Sequence, residues 1–158
     1  MKTRAERGEG PPAKRDRGAA AAGVNKAERD YSHRSRLEKL GVKPEWRASV
    51  IAVGDPEFLK ELRGAAAEVV VGKAARDSDA IFFGAIDAKE LTRLGALKSS
   101  MKQNGALWVI RPKGRPEISE RAVMAAGKAA GLVDVKVVSF SDTHTAEKFV
   151  IPVAQRRS

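Results

Sequence analysis

Between residues 35 and 153 the chain alternates short apolar runs with segments that begin on a capping residue and stop at glycine. No other feature restricts its fold as much. Gly54-Asp55-Pro56 is the sharpest instance. Asp55 suits a helix N-cap, and Pro56 suits the first helical position, where its missing N–H has no intrahelical partner to lose. The apolar residues 47–53 before it read as a buried strand. Phe58, Leu59 and Leu62 after it mark the inner face of a helix ending near Gly64. Upstream, Ser35 and Glu38 have capping-box spacing with Gly41 at the stop position, which predicts a short helix over 35–40. Residues 67–71 and 79–85 read as two further strands. Asp87 and Glu90 then cap a helix carrying Leu91, Leu94, Leu97 and Met101. Asn104-Gly105 is expected to end it and lead into a strand over 106–111. Ser119, between Ile118 and Val123, opens a helix running to Gly131. Strands over 133–140 and 147–153 close the chain, joined by a six-residue polar loop of hairpin length. This order predicts an α/β fold with three layers: a Rossmann-like, mostly parallel sheet of about six strands ending in an antiparallel hairpin.

The length of 158 residues suits one domain with a tail. The absence of Cys excludes disulfides, thiolate metal sites and a cysteine nucleophile. The formal charge of +10 first suggests nucleic acid, but it is unevenly spread. Residues 1–36 hold ten basic and five acidic side chains, and Arg156 and Arg157 add two more cations, so the patterned region keeps only a small excess. Residues 1–30, with Gly8, Gly10, Pro11, Pro12 and Gly18, show no apolar periodicity and read as a disordered basic tail. Residues 31–154 form a single domain in this reading, and 155–158 a basic end. No apolar run approaches a membrane span and no targeting segment stands out, so a cytoplasmic protein is expected.

Several segments resemble known families. The layout, with Lys102-Gln103-Asn104-Gly105-Ala106-Leu107-Trp108-Val109 and Ala130-Gly131-Leu132-Val133-Asp134-Val135-Lys136-Val137, resembles class I methyltransferases. Across about residues 31–153 the chain is also similar to an uncharacterised bacterial family, domain of unknown function 3052. That likeness rests on Tyr31-Ser32, Leu40-Gly41-Val42-Lys43-Pro44, Gly105-Ala106-Leu107-Trp108-Val109, Pro112-Lys113 and Gly131-Leu132-Val133-Asp134-Val135-Lys136-Val137. His144 departs from it, standing where many members are expected to carry Trp.

The methyltransferase resemblance implies S-adenosylmethionine, held by a Gly-rich turn after the first strand and an acid at the end of the second. Here the first turn has one glycine, Gly54, and the second strand ends Val71-Gly72-Lys73, with Asp77 or Asp79 as the only nearby substitutes. The expectation is therefore no cofactor and no catalytic residue: a non-catalytic binding or regulatory domain with a degenerate methyltransferase-like fold. Its ligand would be anionic, or its partner a protein. The candidate site is the edge carrying Gly54, Asp55 and Gly84 with the loop Arg111, Lys113, Gly114 and Arg115, whose three cations precede a helix N-terminus. Tyr31, Ser32 and His33 are a candidate lid. Ser141, Asp142 and His144 lie too close in sequence for a catalytic triad and read as a polar turn. His33 and His144 lack metal-ligand spacing, so no metal is expected. Two alternatives stand beside this reading. One is salt-sensitive, nonspecific nucleic-acid association through the tail. The other is an S-adenosylmethionine-dependent methyltransferase with an altered site.

Overall fold

A computed structural model describes residues 35–156. Expectations for the tail over 1–30 and for Tyr31, Ser32 and His33 fall outside the described residues. The elements are α1 (Arg36–Leu40), β1 (Arg47–Ile51), α2 (Pro56–Arg63), β2 (Glu68–Val71) and β3 (Ser78–Gly84). A 3₁₀ segment (Ala88–Arg93) leads into α3 (Leu94–Lys98) and β4 (Met101–Pro112). Another (Pro116–Ile118) leads into α4 (Glu120–Ala129), followed by β5 (Val133–Ser139) and β6 (His144–Val150). The six strands form one sheet in the order 2-1-3-4-6-5. β1 pairs in parallel with β2 and β3, and β3 with β4. β6 runs antiparallel to both β4 and β5, which makes the terminal hairpin.

Local signals and packing agree at most elements. Asp55 caps α2 by accepting the Phe58 N–H at 3.0 Å, and Ser119 caps α4 by accepting the Ala122 N–H at 3.1 Å. The sheet then splits the apolar residues into two layers. On one face Ile81, Phe83, Leu107 and Val109 pack with Leu94, Leu97 and Val123 of α3 and α4. On the other, Val50, Phe82 and Trp108 pack with Leu40, Phe58 and Leu62 of α1 and α2. Trp108 is fully buried, as its place in the strand predicts.

No helix joins β2 to β3. Residues 72–77 cross β1 directly, and their polar backbone is satisfied by two buried serines. The Ala75 N–H donates to Ser49 Oγ (2.9 Å), which lies 2.7 Å from Ser78 Oγ, and Ser78 Oγ donates back to the Ala75 carbonyl (2.6 Å).

Two boundaries differ from the sequence reading. Met101 belongs to β4 rather than to a helix, and Asn104-Gly105 lies inside that strand. The register jumps from Ser78–Met101 to Ala80–Ala106, so residues 102–105 bulge out opposite Asp79. Gly105 serves the close approach there: a Cβ would lie 3.0 Å from the Ser78 and Asp79 carbonyls. The second difference is that β6 spans His144–Val150 rather than 147–153, leaving residues 140–143 as the hairpin turn and Val153 in a short 3₁₀ segment. Thr143, His144 and Thr145 extend the pairing because β4 offers them Lys113, Pro112 and Arg111 across the ladder.

Candidate functional site

The strand order reverses at β1, with β2 on one side and β3 on the other. The segment after β1 packs on one face of the sheet and the segment after β3 on the opposite face. The turns at their carboxyl ends therefore diverge and leave a crevice, the usual ligand position in an open α/β sheet. A cavity of about 130 Å³ occupies it. Its lining comes from 52–55 after β1, 84–86 after β3, Ile110 of β4, and Phe140, Ser141, Thr143 and His144 of the hairpin.

Backbone geometry shapes the floor. Ala52 has φ 60°, a left-handed conformation that costs an L-residue roughly 1–2 kcal/mol. Its carbonyl lies against Gly84, where any Cβ would collide with it. A Cβ at Gly54, by contrast, would have no heavy atom within 4 Å, so that glycine leaves its side of the crevice open.

Arg36 of α1 ties the rim together. Its Nη1 donates to Asp55 Oδ2 (2.8 Å) and to the Phe140 carbonyl (3.2 Å). Its Nε and Nη2 donate to the two oxygens of Glu61 (3.1 and 3.0 Å). The guanidinium carbon also stands 4.7 Å from the Phe140 ring centre and 5.4 Å from that of Phe58. Burial alone would raise the Asp55 carboxyl, but the Phe58 N–H and Arg36 outweigh it and hold the group below the ordinary carboxylate value.

The hairpin turn supplies the polar wall. Ser141 Oγ accepts the N–H groups of Thr143 (3.3 Å) and His144 (3.1 Å). Thr143 Oγ1 lies 3.3 Å from Ser141 Oγ and 2.8 Å from His144 Nδ1. These residues are hydrogen-bonded as a turn, as their spacing implies, yet they also face the cavity.

Of the expected site residues, Gly54, Asp55 and Gly84 line the crevice, whereas Arg111, Lys113, Gly114 and Arg115 do not. Arg111 turns to the opposite face and donates through Nε and Nη2 to Glu147 (2.8 and 3.3 Å), which is fully buried. Lys113 Nζ donates to Ser139 Oγ (3.1 Å), Gly114 takes the left-handed turn at φ 68°, and Arg115 precedes the 3₁₀ segment. The three cations do not converge, because one completes a buried ion pair and another braces the hairpin. Asp79 is no substitute for the missing acid. It sits at the amino end of β3, where it accepts the Arg47 N–H (2.8 Å) and Lys102 Nζ (2.9 Å). Among the described residues no group of three or more His, Asp or Glu is placed to hold a metal. No described helix is long and apolar enough to cross a membrane. Phe140 and Thr143 escaped the sequence reading, and Ser141 and His144 entered it only as a polar turn; that turn's place beside a strand end was the signal for all four.

No family model and no curated protein sequence matches the chain, so the likeness to domain of unknown function 3052 stays a sequence resemblance. Solved structures do match. A SAM-dependent methyltransferase from Aquifex aeolicus superposes with a TM-score of 0.58 at 18% identity, covering 73% of this chain and 87% of that one. A protein described as a type 11 methyltransferase, from Sulfolobus solfataricus, gives 0.56 at 13%, covering 77% and 92%. One described as a methyltransferase from Thermoplasma acidophilum gives 0.54 at 14%, covering 72% and 71%. The fold is thus the Rossmann-like fold of class I methyltransferases. These neighbours overturn the expectation of a non-catalytic domain without S-adenosylmethionine. That expectation rested on two missing motif residues, while the architecture around them is that of methyltransferases.

Proposed function

We propose that this chain binds S-adenosylmethionine in the crevice and acts as a methyltransferase. The observation that carries the reading is the cavity's position, at the reversal point of a sheet that superposes on methyltransferases. The residues present suit the sulfonium end of that cofactor. Gly54 leaves room for close backbone approach. Asp55 and Phe140 at the rim are already paired with Arg36, and the cavity lining itself includes no Lys or Arg to repel a cation. About 130 Å³ is less than the roughly 300–1,000 Å³ of a site enclosing a whole ligand, so the cavity takes one end of the molecule.

Gly54, Asp55, Gly84 and Phe140 would hold the cofactor, which supplies an electrophilic methyl group. Val53, Ile86 and Ile110 give the crevice apolar walls that exclude water around the reacting atoms. Ser141, Thr143 and His144 offer polar atoms to an acceptor.

Calorimetric titration with S-adenosylmethionine and S-adenosylhomocysteine tests this. Saturable binding of both is expected, with loss in Gly54→Val, whose Cβ would enter open space with no protein heavy atom within 4 Å. A folded wild-type protein that binds neither compound overturns the reading.

A further inference from the structure

We propose that His144 is the proton acceptor of this crevice, working through Nε2, and that the methyl acceptor is therefore a hydroxyl or an ammonium rather than a carboxylate. The inference rests on the methyltransferase reading and deepens it.

Two titratable side chains line the cavity, Asp55 and His144. Asp55 is already engaged as the α2 cap and the partner of Arg36, and it is held ionised against proton uptake. His144 is the one left to move a proton, and imidazole is the side chain most often used in that role.

The turn also holds the ring by its Nδ1 atom. Ser141 Oγ accepts two backbone N–H bonds, which uses both of its lone pairs, so its own hydroxyl donates to Thr143 Oγ1. Thr143 Oγ1 keeps a second lone pair, and His144 Nδ1 lies 2.8 Å from it. In the proposed tautomer Nδ1 donates to Thr143 Oγ1, the Thr143 hydroxyl proton turns to the solvent that this exposed residue faces, and Nε2 keeps its lone pair. His144 is also anchored at its backbone, because its carbonyl accepts the N–H groups of Phe140 and Ser141 (3.0 and 3.1 Å). The charges around it are the Asp55–Arg36 pair across the crevice, and Asp142 and Lys113 on the hairpin side.

The step balances. As the acceptor's O–H or N–H bond breaks, its proton goes to Nε2 and the ring becomes an imidazolium with Nδ1–H still on Thr143. The electron pair of that bond stays on the acceptor, whose nucleophilic pair forms the bond to the methyl carbon, and sulfur keeps the pair of the bond it gives up. A carboxylate acceptor has no proton to lose and needs no such group.

Nitrogen-15 NMR of histidine-labelled protein, with S-adenosylhomocysteine as the probe, decides the matter. The neutral His144 ring is expected to carry its proton on Nδ1, and its resonances to move when the probe binds. Thr143→Val should relax the ring to a mixture of both tautomers. A neutral ring protonated on Nε2, or a ring unmoved by a probe that calorimetry shows to be bound, overturns this inference and leaves the methyltransferase reading standing. Failure of the probe to bind wild-type protein removes both.

Discussion

Two arginines make the most consequential polar contacts of the domain, and they do opposite things. Arg36 sits at the crevice rim, 15% exposed, and joins α1, α2 and the hairpin turn through two carboxylates and a carbonyl. Arg111 lies on the other face of the sheet and joins β4 to β6 through one carboxylate with no exposure at all. The first pair holds together segments that the binding of a ligand would press against. The second replaces apolar contact inside the ladder. A buried ion pair recovers its desolvation penalty only when both partners are present, whereas a rim pair is partly screened and owes its effect to the elements it connects.

The largest expected effect follows from the buried pair. Arg111→Met leaves Glu147 without its counter-charge and should destabilise the domain by about 3–5 kcal/mol in urea unfolding. Combining it with Glu147→Leu should restore most of that loss, because an apolar pair fits the same place. If the double variant stays as unstable as the single one, the pair is doing more than filling a site in the sheet.

At the rim the expected loss is smaller and of another kind. Arg36→Met removes four charge-assisted hydrogen bonds to three partners from a partly exposed site, and should cost about 1–3 kcal/mol. It should also weaken S-adenosylhomocysteine binding in calorimetry, since Asp55 and Phe140 lose their common anchor. Arg111→Met with Glu147→Leu should leave that affinity unchanged. Equal effects of the two replacements on affinity would erase the distinction between the pairs.

The same contrast explains what could be read from the sequence. Asp55 and Ser119 act within three residues of themselves, so their caps and the helices that follow were legible, and with them the α/β order and the closing hairpin. Met101 continues the spacing of Leu91, Leu94 and Leu97, yet it joins a strand. Pairing with Ser78, 23 residues earlier, outweighs that local pattern. Arg111 looked like a free loop cation because Glu147, 36 residues later, cannot be placed beside it before the strand order is known. The crevice was half legible for a related reason. Gly54, Asp55 and Gly84 announce themselves at strand ends, whereas His144 reaches the same cavity only because β6 inserts beside β4.

The smallest effect separates the pairs by sign. Asp55 is held below the ordinary carboxylate value, so its contribution is complete above about pH 4 and is lost as acid reaches the lowered folded value. Glu147 is the reverse: burial pushes its carboxyl up, against the pull of Arg111. Its contribution is complete below the ordinary glutamate value and is lost as pH rises through the raised folded value, so mild acidification relieves the buried charge. Urea midpoints followed from pH 7 to about pH 3 at low salt read both. Relative to the wild type, Asp55→Asn should flatten the fall below about pH 4, and Glu147→Gln should remove a small gain just above it. Slopes that change in the same direction in both variants would mean that Arg111 governs Glu147 more strongly than burial does, and the two pairs would then differ in depth alone.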